Sequence, residues 1–471
     1  MKVNKNKRIY IFFIIVSLIF WNPLSFYFIY KGTDIVNIKI ISYLFWITPI
    51  IGFTVIILIN KYKLNNFLKN ISLSFFSTGI IFSFLVLVNF IIGLLIPIDN
   101  KKFALQKGLM FNPNTKAIYK TVEFDFTSEI NNIGLRDKDM AIDKGDKFRI
   151  VCFGDSWTYG WGVNIEHSWP KKLEALLSER GFEEIEVINC GQGGAFTTRY
   201  KSKLEDVLTL LNPDLVLIGV LQADDLIQSY QRTIFEKSES INHIRILDYV
   251  KDSFYNFLLV SFDNLLHLFR TDPHNVLDID ENWKLTALEE ISNFNDFQRL
   301  RFFTLDDSIK YLFQTGNLNP SLLWICINFP EGNLVINDPK NPATVLAINE
   351  MRKDFLEMKT ICERNSVDLI FINLPEASFT GHKVIKSPQQ NIFDKYFYDN
   401  NNIDSIYRSI ADYLKIPYFE LTDEFKQLES KTSYFFKYDG HPNEKGYEEI
   451  SKGICDFLIN EYDLKSKINL E

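Results

Sequence analysis

Apolar, strand-like runs alternate with helical patterns through most of this 471-residue chain, and this alternation constrains the fold more than any other feature. The pattern predicts strands at 148–153, 185–190, 214–221, 367–373 and 416–420, and helices at about 168–180, 197–211, 343–364 and 444–460. Such alternation is typical of an α/β fold in which helices cover both faces of a doubly wound parallel sheet. Ligands bind these sheets beyond the carboxyl ends of the strands, so residues that follow strands are the candidate site residues.

Two short segments with reactive side chains stand near opposite ends of this pattern. Ser156 follows the first predicted strand in Phe153-Gly-Asp-Ser-Trp-Thr-Tyr-Gly-Trp-Gly162, and His441 lies in Tyr438-Asp-Gly-His-Pro-Asn-Glu-Lys-Gly446, where the last predicted helix begins. A serine hydroxyl is a poor nucleophile near neutral pH and needs a base within hydrogen-bond reach, and imidazole titrates closest to that pH. A neighbouring carboxylate, Asp439, would hold the imidazole tautomer and stabilise the imidazolium. These residues therefore predict acyl-transfer chemistry at a serine.

The second and third predicted strands each run into a further motif. The second continues into the glycine-rich turn of Val187-Ile-Asn-Cys-Gly-Gln-Gly-Gly194, whose backbone N–H groups would be open to a small anionic centre. The third reads Asp214-Leu-Val-Leu-Ile-Gly-Val-Leu-Gln-Ala-Asp-Asp225. With the segments around the serine and the histidine, these blocks resemble in order and spacing those of the SGNH (GDSL) hydrolase family. The similarity covers roughly residues 148–226 and 340–460.

The resemblance implies a flavodoxin-like doubly wound sheet that carries a serine esterase or acyltransferase site. In the family, the serine that corresponds to Ser156 attacks the acyl carbonyl and also lends its backbone N–H to the oxyanion hole. A second oxyanion-hole donor is implied at Gly194, five residues after Asn189. The resemblance also implies that His441 is the general base and Asp439 the acid that orients it.

The sequence departs from the family pattern at two positions. The family's asparagine, which donates to the oxyanion, is replaced by Asp224, and an ionised carboxylate there would oppose the developing negative charge. Either Asp224 is protonated and donates, or Gln222 donates in its place. The family's usual Asp-x-x-His spacing would put the acid at position 438, which is Tyr438, whereas Asp439 lies two residues before His441. Some polysaccharide O-acetyltransferase relatives have this shorter spacing, so Asp439 is the predicted acid and Tyr438 the alternative support for the histidine.

Three long apolar stretches precede these motifs. Ile9 to Tyr30, Ile40 to Ile59 and Ile71 to Ile98 contain no Asp, Glu, Lys or Arg, and each approaches or exceeds the ~20 residues that a helix needs to cross a bilayer. We predict three transmembrane helices. A cleaved signal peptide is the competing interpretation of the first stretch, but no small-residue cleavage site follows it.

Basic residues are distributed unevenly around these stretches, which predicts their orientation. Four precede the first stretch and three lie between the second and the third, whereas the first connection has two, offset by Asp34. The N-terminus and the second connection are therefore predicted to be cytoplasmic. The protein would be a multi-pass protein of the cytoplasmic membrane, with its catalytic domain extracytoplasmic, in the periplasm or at the cell surface.

Charge narrows the range of partners. The whole chain has a formal net charge of −8 and residues 1–98 carry +8, so residues 99–471 carry −16. Nucleic acid is not a predicted partner, because its binding depends largely on Lys and Arg that neutralise phosphates. The five histidines other than His441 show no pair at metal-ligand spacing. We predict neither a metal site nor a cofactor.

The predicted organisation has a membrane anchor followed by one catalytic domain. Its parts are the anchor at 1–98, a connecting segment at 99–147, the SGNH-like domain at 148–460 with an insertion at about 227–343, and a tail at 461–471. The insertion would cap the serine, contact the membrane surface, or simply form its own core. The predicted substrate is an acylated, chiefly O-acetylated, extracytoplasmic glycan or a small ester, with an acyl-donor membrane partner if the acyl group goes to a sugar. The alternative is an inactive glycan-binding or scaffold protein of a cell-envelope polysaccharide system.

Overall fold

The computed structural model describes most of the chain after residue 107. The described ranges are 108–241, 276–278, 280–328, 332–380, 396–429 and 433–468, with Val88 and Ile91 as isolated residues. The three predicted membrane spans lie outside these ranges except for those two residues. Within the described ranges, no helix combines the length and the apolar character needed to cross a bilayer. The described residues within 101–237 and 273–471 form one compact unit, which contains the sheet and the site described below.

The described elements follow the predicted alternation. The strands are β1 Lys116–Lys120, β2 Asp125–Glu129, β3 Phe148–Gly154, β4 Ile185–Gly191, β5 Leu215–Leu221, β6 Val276–Asp278, β7 Asp368–Leu374 and β8 Tyr418–Glu420. The helices are α1 Ser156–Tyr159, α2 Trp169–Glu179, α3 Thr197–Leu211, α4 Asp224–Ile241, α5 Asp280–Ser292, α6 Asp296–Thr304, α7 Asp307–Gln314, α8 Pro320–Asn328, α9 Gly332–Ile336, α10 Pro342–Arg364, α11 Ala377–Thr380, α12 Tyr396–Asp399, α13 Ile403–Leu414, α14 Thr422–Glu429, α15 Glu444–Asn460 and α16 Leu464–Ile468. A short 3₁₀ turn covers Ile165–His167.

Five parallel strands form the central sheet in the order β4-β3-β5-β7-β8. Counted along the chain within this sheet, the order is 2-1-3-4-5, which is the flavodoxin-like form of the doubly wound fold. The prediction of an α/β doubly wound parallel sheet is confirmed, and each predicted strand lies within two residues of an observed one. In this order the direction of winding reverses between β3 and β5, where a crevice forms at the carboxyl ends of the strands.

Both faces of the sheet are buried, as the continuous apolar character of its strands requires. Along β3, Val151 and Phe153 pack into a core with α3, α10 and α13, whereas Ile150 and Cys152 pack into a second core with α2 and α15. This alternation follows from the two-residue period of a strand. The sheet is therefore held rigidly from both sides, which fixes the positions of the residues at its carboxyl edge.

The connecting segment forms a second, three-stranded sheet in its described part. β1 and β2 are a hairpin, and β6, which belongs to the predicted insertion, pairs in parallel with β1. Arg136 follows the hairpin and is completely buried. Its guanidinium donates to the carbonyl oxygens of Tyr159 at 2.7 Å, Gly160 at 2.6 Å and Val163 at 2.6 Å. The segment is thus packed against the loop that follows α1.

The helices α5 to α8 of the insertion form a small core of their own. Its fully buried side chains include Ala287, Ile309, Phe313, Leu323 and Ile327. For the described part of the insertion, the interpretation that its apolar residues make their own core therefore holds. The same cluster also packs against Tyr438, beside the predicted catalytic acid.

Candidate active site

Ser156 is placed by a tight turn at the carboxyl end of β3. Asp155 caps α1, with its Oδ1 accepting the backbone N–H of Trp157 at 2.9 Å, and Ser156 is the first residue of the helix. The turn requires glycine at the strand end, because a Cβ at Gly154 would lie 1.9 Å from Thr158 Oγ1. Close approach of α1 to the sheet thus brings the serine hydroxyl to the carboxyl edge, at the reversal of winding.

The structure brings the predicted serine, histidine and aspartate together. Ser156 Oγ and His441 Nε2 lie 2.8 Å apart, and His441 Nδ1 is hydrogen-bonded to Asp439 Oδ1. The histidine and aspartate are buried, whereas Ser156 is partly exposed. Each residue thus lies within hydrogen-bond reach of the next, as nucleophile, base and orienting acid require.

The second oxygen of the acid is also engaged. Trp161 donates its indole N–H to Asp439 Oδ2 at 3.3 Å, and the backbone N–H of His441 lies 3.3 Å from Oδ1. The preceding residue contributes differently, because the ring of Tyr438 packs against the helical core of the insertion. The carboxylate in contact with His441 therefore comes from Asp439, with the shorter of the two spacings.

Aromatic rings surround the histidine. The ring centroid of Trp157 is 4.2 Å from that of His441, and the ring of Trp161 is 5.9 Å away. Trp283 of α5 stacks against Trp161 with ring centroids 6.0 Å apart, so a residue of the insertion supports a ring that packs near His441. The rings leave the imidazole little freedom to rotate away from Ser156.

Gly194 lies in the turn that follows β4. Gly191 is level with Gly154 in the β3–β4 register, and the backbone N–H of Gln192 donates to Gly154 O at 2.9 Å. The turn is therefore held next to Gly154, two residues before Ser156. Gly194 has φ +69°, and a Cβ added to it would have no heavy atom within 4 Å, so its backbone borders open space. This is the exposure that an oxyanion donor at this position needs.

Asp224 stands at the first position of α4 and is partly exposed. One of its oxygens accepts the side-chain N–H of Gln228 at 2.5 Å. Burial raises its pKa to about 6, while that hydrogen bond and the nearby His441 oppose the rise. Burial also raises the pKa values of Asp155 and Asp225, and the nearby negative charge of Asp224 raises both further. A carboxyl group in this setting is protonated at mildly acidic pH and ionised above it.

Gln222, the alternative oxyanion donor, is committed elsewhere. Its side-chain N–H group donates to Asp404 Oδ1 at 2.5 Å and to Thr422 Oγ1 at 3.0 Å, and its oxygen accepts the N–H of Glu376 at 3.1 Å. Both amide hydrogens are therefore used in bonds that join the end of β5 to the first turns of α13 and α14. The geometry does not support a role for Gln222 at the oxyanion.

Three residues near the triad had not been singled out from the sequence. Trp161 lies within the first motif block, so its place beside the nucleophile could have been suspected. Trp283 and Glu123 reach the site from the insertion and from the β1–β2 turn, and no local pattern marks them. Glu123 accepts the backbone N–H groups of Tyr438 and Asp439, although more than 300 residues separate them in the chain.

Comparisons with known proteins give partial matches. No family model matches the sequence. An arylesterase of Vibrio mimicus is 30% identical over 112 residues, which are 24% of this chain and 53% of that protein, so this chain spans about half the length of that relative. Among solved structures, TesA aligns with a TM-score of 0.30 and 10% identity over 66% of this chain and 97% of its own. A lipase/acylhydrolase from Enterococcus faecalis aligns with a TM-score of 0.32 and 13% identity over 66% and 95%.

Features of the chain itself bear on the resemblance to the SGNH (GDSL) hydrolases. Four motif blocks occur in the order and spacing described above, and the strands that carry them form a flavodoxin-like sheet. The serine of the first block is hydrogen-bonded to the histidine of the fourth, which is hydrogen-bonded to an aspartate. Sequence order, fold and side-chain geometry agree with the resemblance to the SGNH (GDSL) hydrolases.

Proposed function

We propose that the protein cleaves acyl esters by a Ser-His-Asp mechanism. The observation that carries the proposal is the 2.8 Å contact between Ser156 Oγ and His441 Nε2, with Asp439 on the opposite ring nitrogen. The serine oxygen attacks the acyl carbonyl while His441 takes the hydroxyl proton, and the negative oxygen accepts from the backbone N–H groups of Ser156 and Gly194. His441 then returns the proton to the leaving alcohol, which departs and leaves an acyl-enzyme.

The second half-reaction determines the type of enzyme. Water, activated by His441, would release the free acid and regenerate Ser156, which makes the protein an ester hydrolase. A sugar hydroxyl in the same position would make it an O-acyltransferase. Incubating the full chain with p-nitrophenyl acetate, with and without a sugar acceptor, separates them: a hydrolase releases acetate in equal amounts in both, whereas a transferase forms the acetylated sugar.

For the cellular setting, we propose a membrane-anchored enzyme that acts on O-acyl groups, chiefly O-acetyl groups, of an extracytoplasmic glycan. The support is the three uncharged apolar stretches before residue 99 and the excess of basic residues on the side that would be cytoplasmic. A glycan is proposed because acylated glycans occur in that compartment, and a small ester substrate would use the same site. An acyl-donor membrane partner is part of the proposal only for the transferase.

A topology experiment tests the anchor. A reporter fused after Glu471 should behave as extracytoplasmic, because seven basic residues flank the spans on one side against two, offset by one acid, on the other. We expect an alkaline phosphatase fusion to be active and a green fluorescent protein fusion to be dark. Removing residues 1–98 without their replacement by a signal sequence should reverse both results. An inactive phosphatase on the full chain, with a fluorescent counterpart, would contradict the proposed orientation.

A second candidate function, a binding module that has lost catalysis, is favoured by one observation. Asp224 stands where the family has a neutral donor, and its pKa of about 6 means that it is ionised at pH 8. Negative charge beside the developing oxyanion raises the barrier for acyl transfer. The candidate predicts that the wild-type chain cleaves no ester at any pH between 5 and 9.

Substituting Asp224→Asn tests how this carboxyl acts in the enzyme. As pH rises through about 6 the wild-type side chain loses its proton, so it changes from a donor to a repulsive charge. The amide oxygen of the variant can keep the bond from Gln228, which leaves its N–H group for the oxyanion. We expect kcat/KM of the variant to exceed that of the wild type by roughly tenfold at pH 8 and to be similar at pH 5.

The pH profile of kcat/KM for both proteins provides the measurement. Loss of an alkaline decline in Asp224→Asn is the expected result. A severe loss of activity at all pH values would show instead that a negative charge at position 224 is required, and would remove this residue from the oxyanion hole. Gln222→Ala serves as the comparison, since we expect it to lower stability without changing the shape of the profile.

A further inference from the structure

The turn between β1 and β2 presents the carboxylate of Glu123 to the loop that carries Asp439 and His441. Thr121 Oγ1 accepts the backbone N–H groups of Glu123 at 3.1 Å and Phe124 at 3.2 Å, and the N–H of Thr121 donates to Phe124 O at 2.8 Å. Local bonds of this kind fix a turn without help from regular structure. The position of Glu123 is therefore set by the hairpin before any contact with the hydrolase sheet.

Glu123 accepts two successive backbone N–H groups of that loop. Its oxygens lie 3.0 and 3.1 Å from Tyr438 N, and its Oε2 lies 2.8 Å from Asp439 N. Bonds from N–H groups to a carboxylate are stronger than those to neutral acceptors. These bonds hold the backbone of Asp439, so they fix the position of its Cα, from which the catalytic carboxylate extends.

The loop of residues 436–441 is closed at its two ends by its own backbone. Phe435 and Pro442 form an isolated bridge, the N–H of Phe436 donates to His441 O at 2.8 Å, and Gly440 adopts φ +87°. The loop is thus closed at both of its ends by backbone bonds. Glu123 contacts it between these ends, at Tyr438 and Asp439.

The aromatic side chains of the hairpin reinforce the same contact. Phe124 packs on Phe436 with ring centroids 5.2 Å apart, and Tyr119 and Phe126 pack on Trp161 at 4.8 and 5.6 Å. Trp161 in turn donates to Asp439. Two independent paths, one polar and one aromatic, therefore connect the hairpin to the acid of the triad.

We infer that Glu123 is a positioning residue of the catalytic site, which holds the backbone of Asp439 so that its carboxylate meets His441 Nδ1. The inference rests on the proposed esterase function. The carboxylate of Glu123 repels that of Asp439, so proximity alone would be unfavourable, and the stabilising contribution comes from the two N–H groups it accepts. The β1–β2 hairpin, which lies outside the hydrolase sheet, is on this view a part of the active site.

The test compares Glu123→Gln and Glu123→Ala with Glu129→Gln in the full chain. Glu129 lies on the same hairpin, is exposed and, among its described side-chain contacts, pairs only with Lys116, so its substitution makes the same chemical change at little cost. We expect kcat for p-nitrophenyl acetate to fall about tenfold in Glu123→Gln and about a hundredfold in Glu123→Ala, with KM within about twofold. The glutamine keeps one acceptor oxygen, which explains the partial retention.

The pH profile separates positioning from general destabilisation. When Asp439 is displaced, the imidazolium loses its carboxylate partner, so the acid limb of kcat/KM should move to lower pH in both Glu123 variants. A variant that is merely less folded would lose amplitude while keeping the wild-type profile. Labelling by a fluorophosphonate probe, together with thermal melting, gives the active and folded fractions, and Glu123→Gln decides the question if Glu123→Ala fails to fold.

The possible outcomes distinguish the inference from the proposed function. Wild-type rates and an unshifted profile in Glu123→Gln would overturn the inference and leave the esterase function standing. A loss that follows the folded fraction at every pH would also overturn it. A wild-type chain that neither hydrolyses the ester nor reacts with the probe would overturn the proposed function and, with it, the inference.

Discussion

Replacing Ser156 by alanine should abolish ester cleavage and covalent labelling by a fluorophosphonate. The substitution removes the hydroxyl that lies 2.8 Å from His441 Nε2 and nothing larger, so the fold should persist. Loss of a serine nucleophile lowers kcat by several orders of magnitude, on the order of 10⁴-fold or more. Measurements of kcat, of probe incorporation and of the melting temperature on the same preparations test both parts of this expectation.

Ser202→Ala is the matched control for this experiment. Ser202 is exposed on α3, and its hydroxyl donates only to Arg199 O among its described contacts, so the variant should label and turn over like the wild type. Labelling of Ser156→Ala at the wild-type rate would remove Ser156 from the mechanism. Equal loss in Ser156→Ala and Ser202→Ala would point to damage that is unrelated to the nucleophile.

The positions of Ser156 and His441 could be predicted because local sequence determines both. The four apolar residues before Gly154 lie in the buried strand β3, as their character and the following Gly-Asp-Ser turn predict. His441 precedes α15, which Asn443 caps through its side-chain oxygen. A strand end and a helix start are features of short range, and the parallel sheet then brings them to one edge.

The support of the triad could not be predicted in the same way, since it depends on contacts between distant segments. Glu123 and Trp283 come from outside the sheet and meet the site through the hairpin and the insertion. Gln222 is the alternative oxyanion donor from the sequence, whereas its amide donates to Asp404 and Thr422, which lie about 180 and 200 residues away. Periodicity and motif spacing carry no information about such pairings, because they arise from tertiary packing.

Motif spacing alone also left open which residue is the acid that orients His441. If it is Asp439, then Asp439→Asn should lower kcat by roughly a hundredfold to ten-thousandfold with little change in KM. In the wild type, each oxygen of Asp439 faces its own donor, His441 Nδ1 on one side and Trp161 Nε1 on the other. The amide of the variant has a single oxygen for these two donors. If its nitrogen faces the histidine, the proton must move to Nε2, where the base can no longer accept from Ser156.

Tyr438→Phe is the matching experiment, and its expected effect is small. The backbone N–H that Glu123 accepts is retained, and the ring still packs against the core of the insertion, so only a hydroxyl is lost. Comparing kcat, KM and the melting temperatures of the two variants decides between the two residues. A large loss of kcat in Tyr438→Phe with near-normal turnover in Asp439→Asn would transfer the supporting role to Tyr438. That result would also mean that Asp439 does not set the tautomer of His441. Another group would then have to hold the proton on Nδ1.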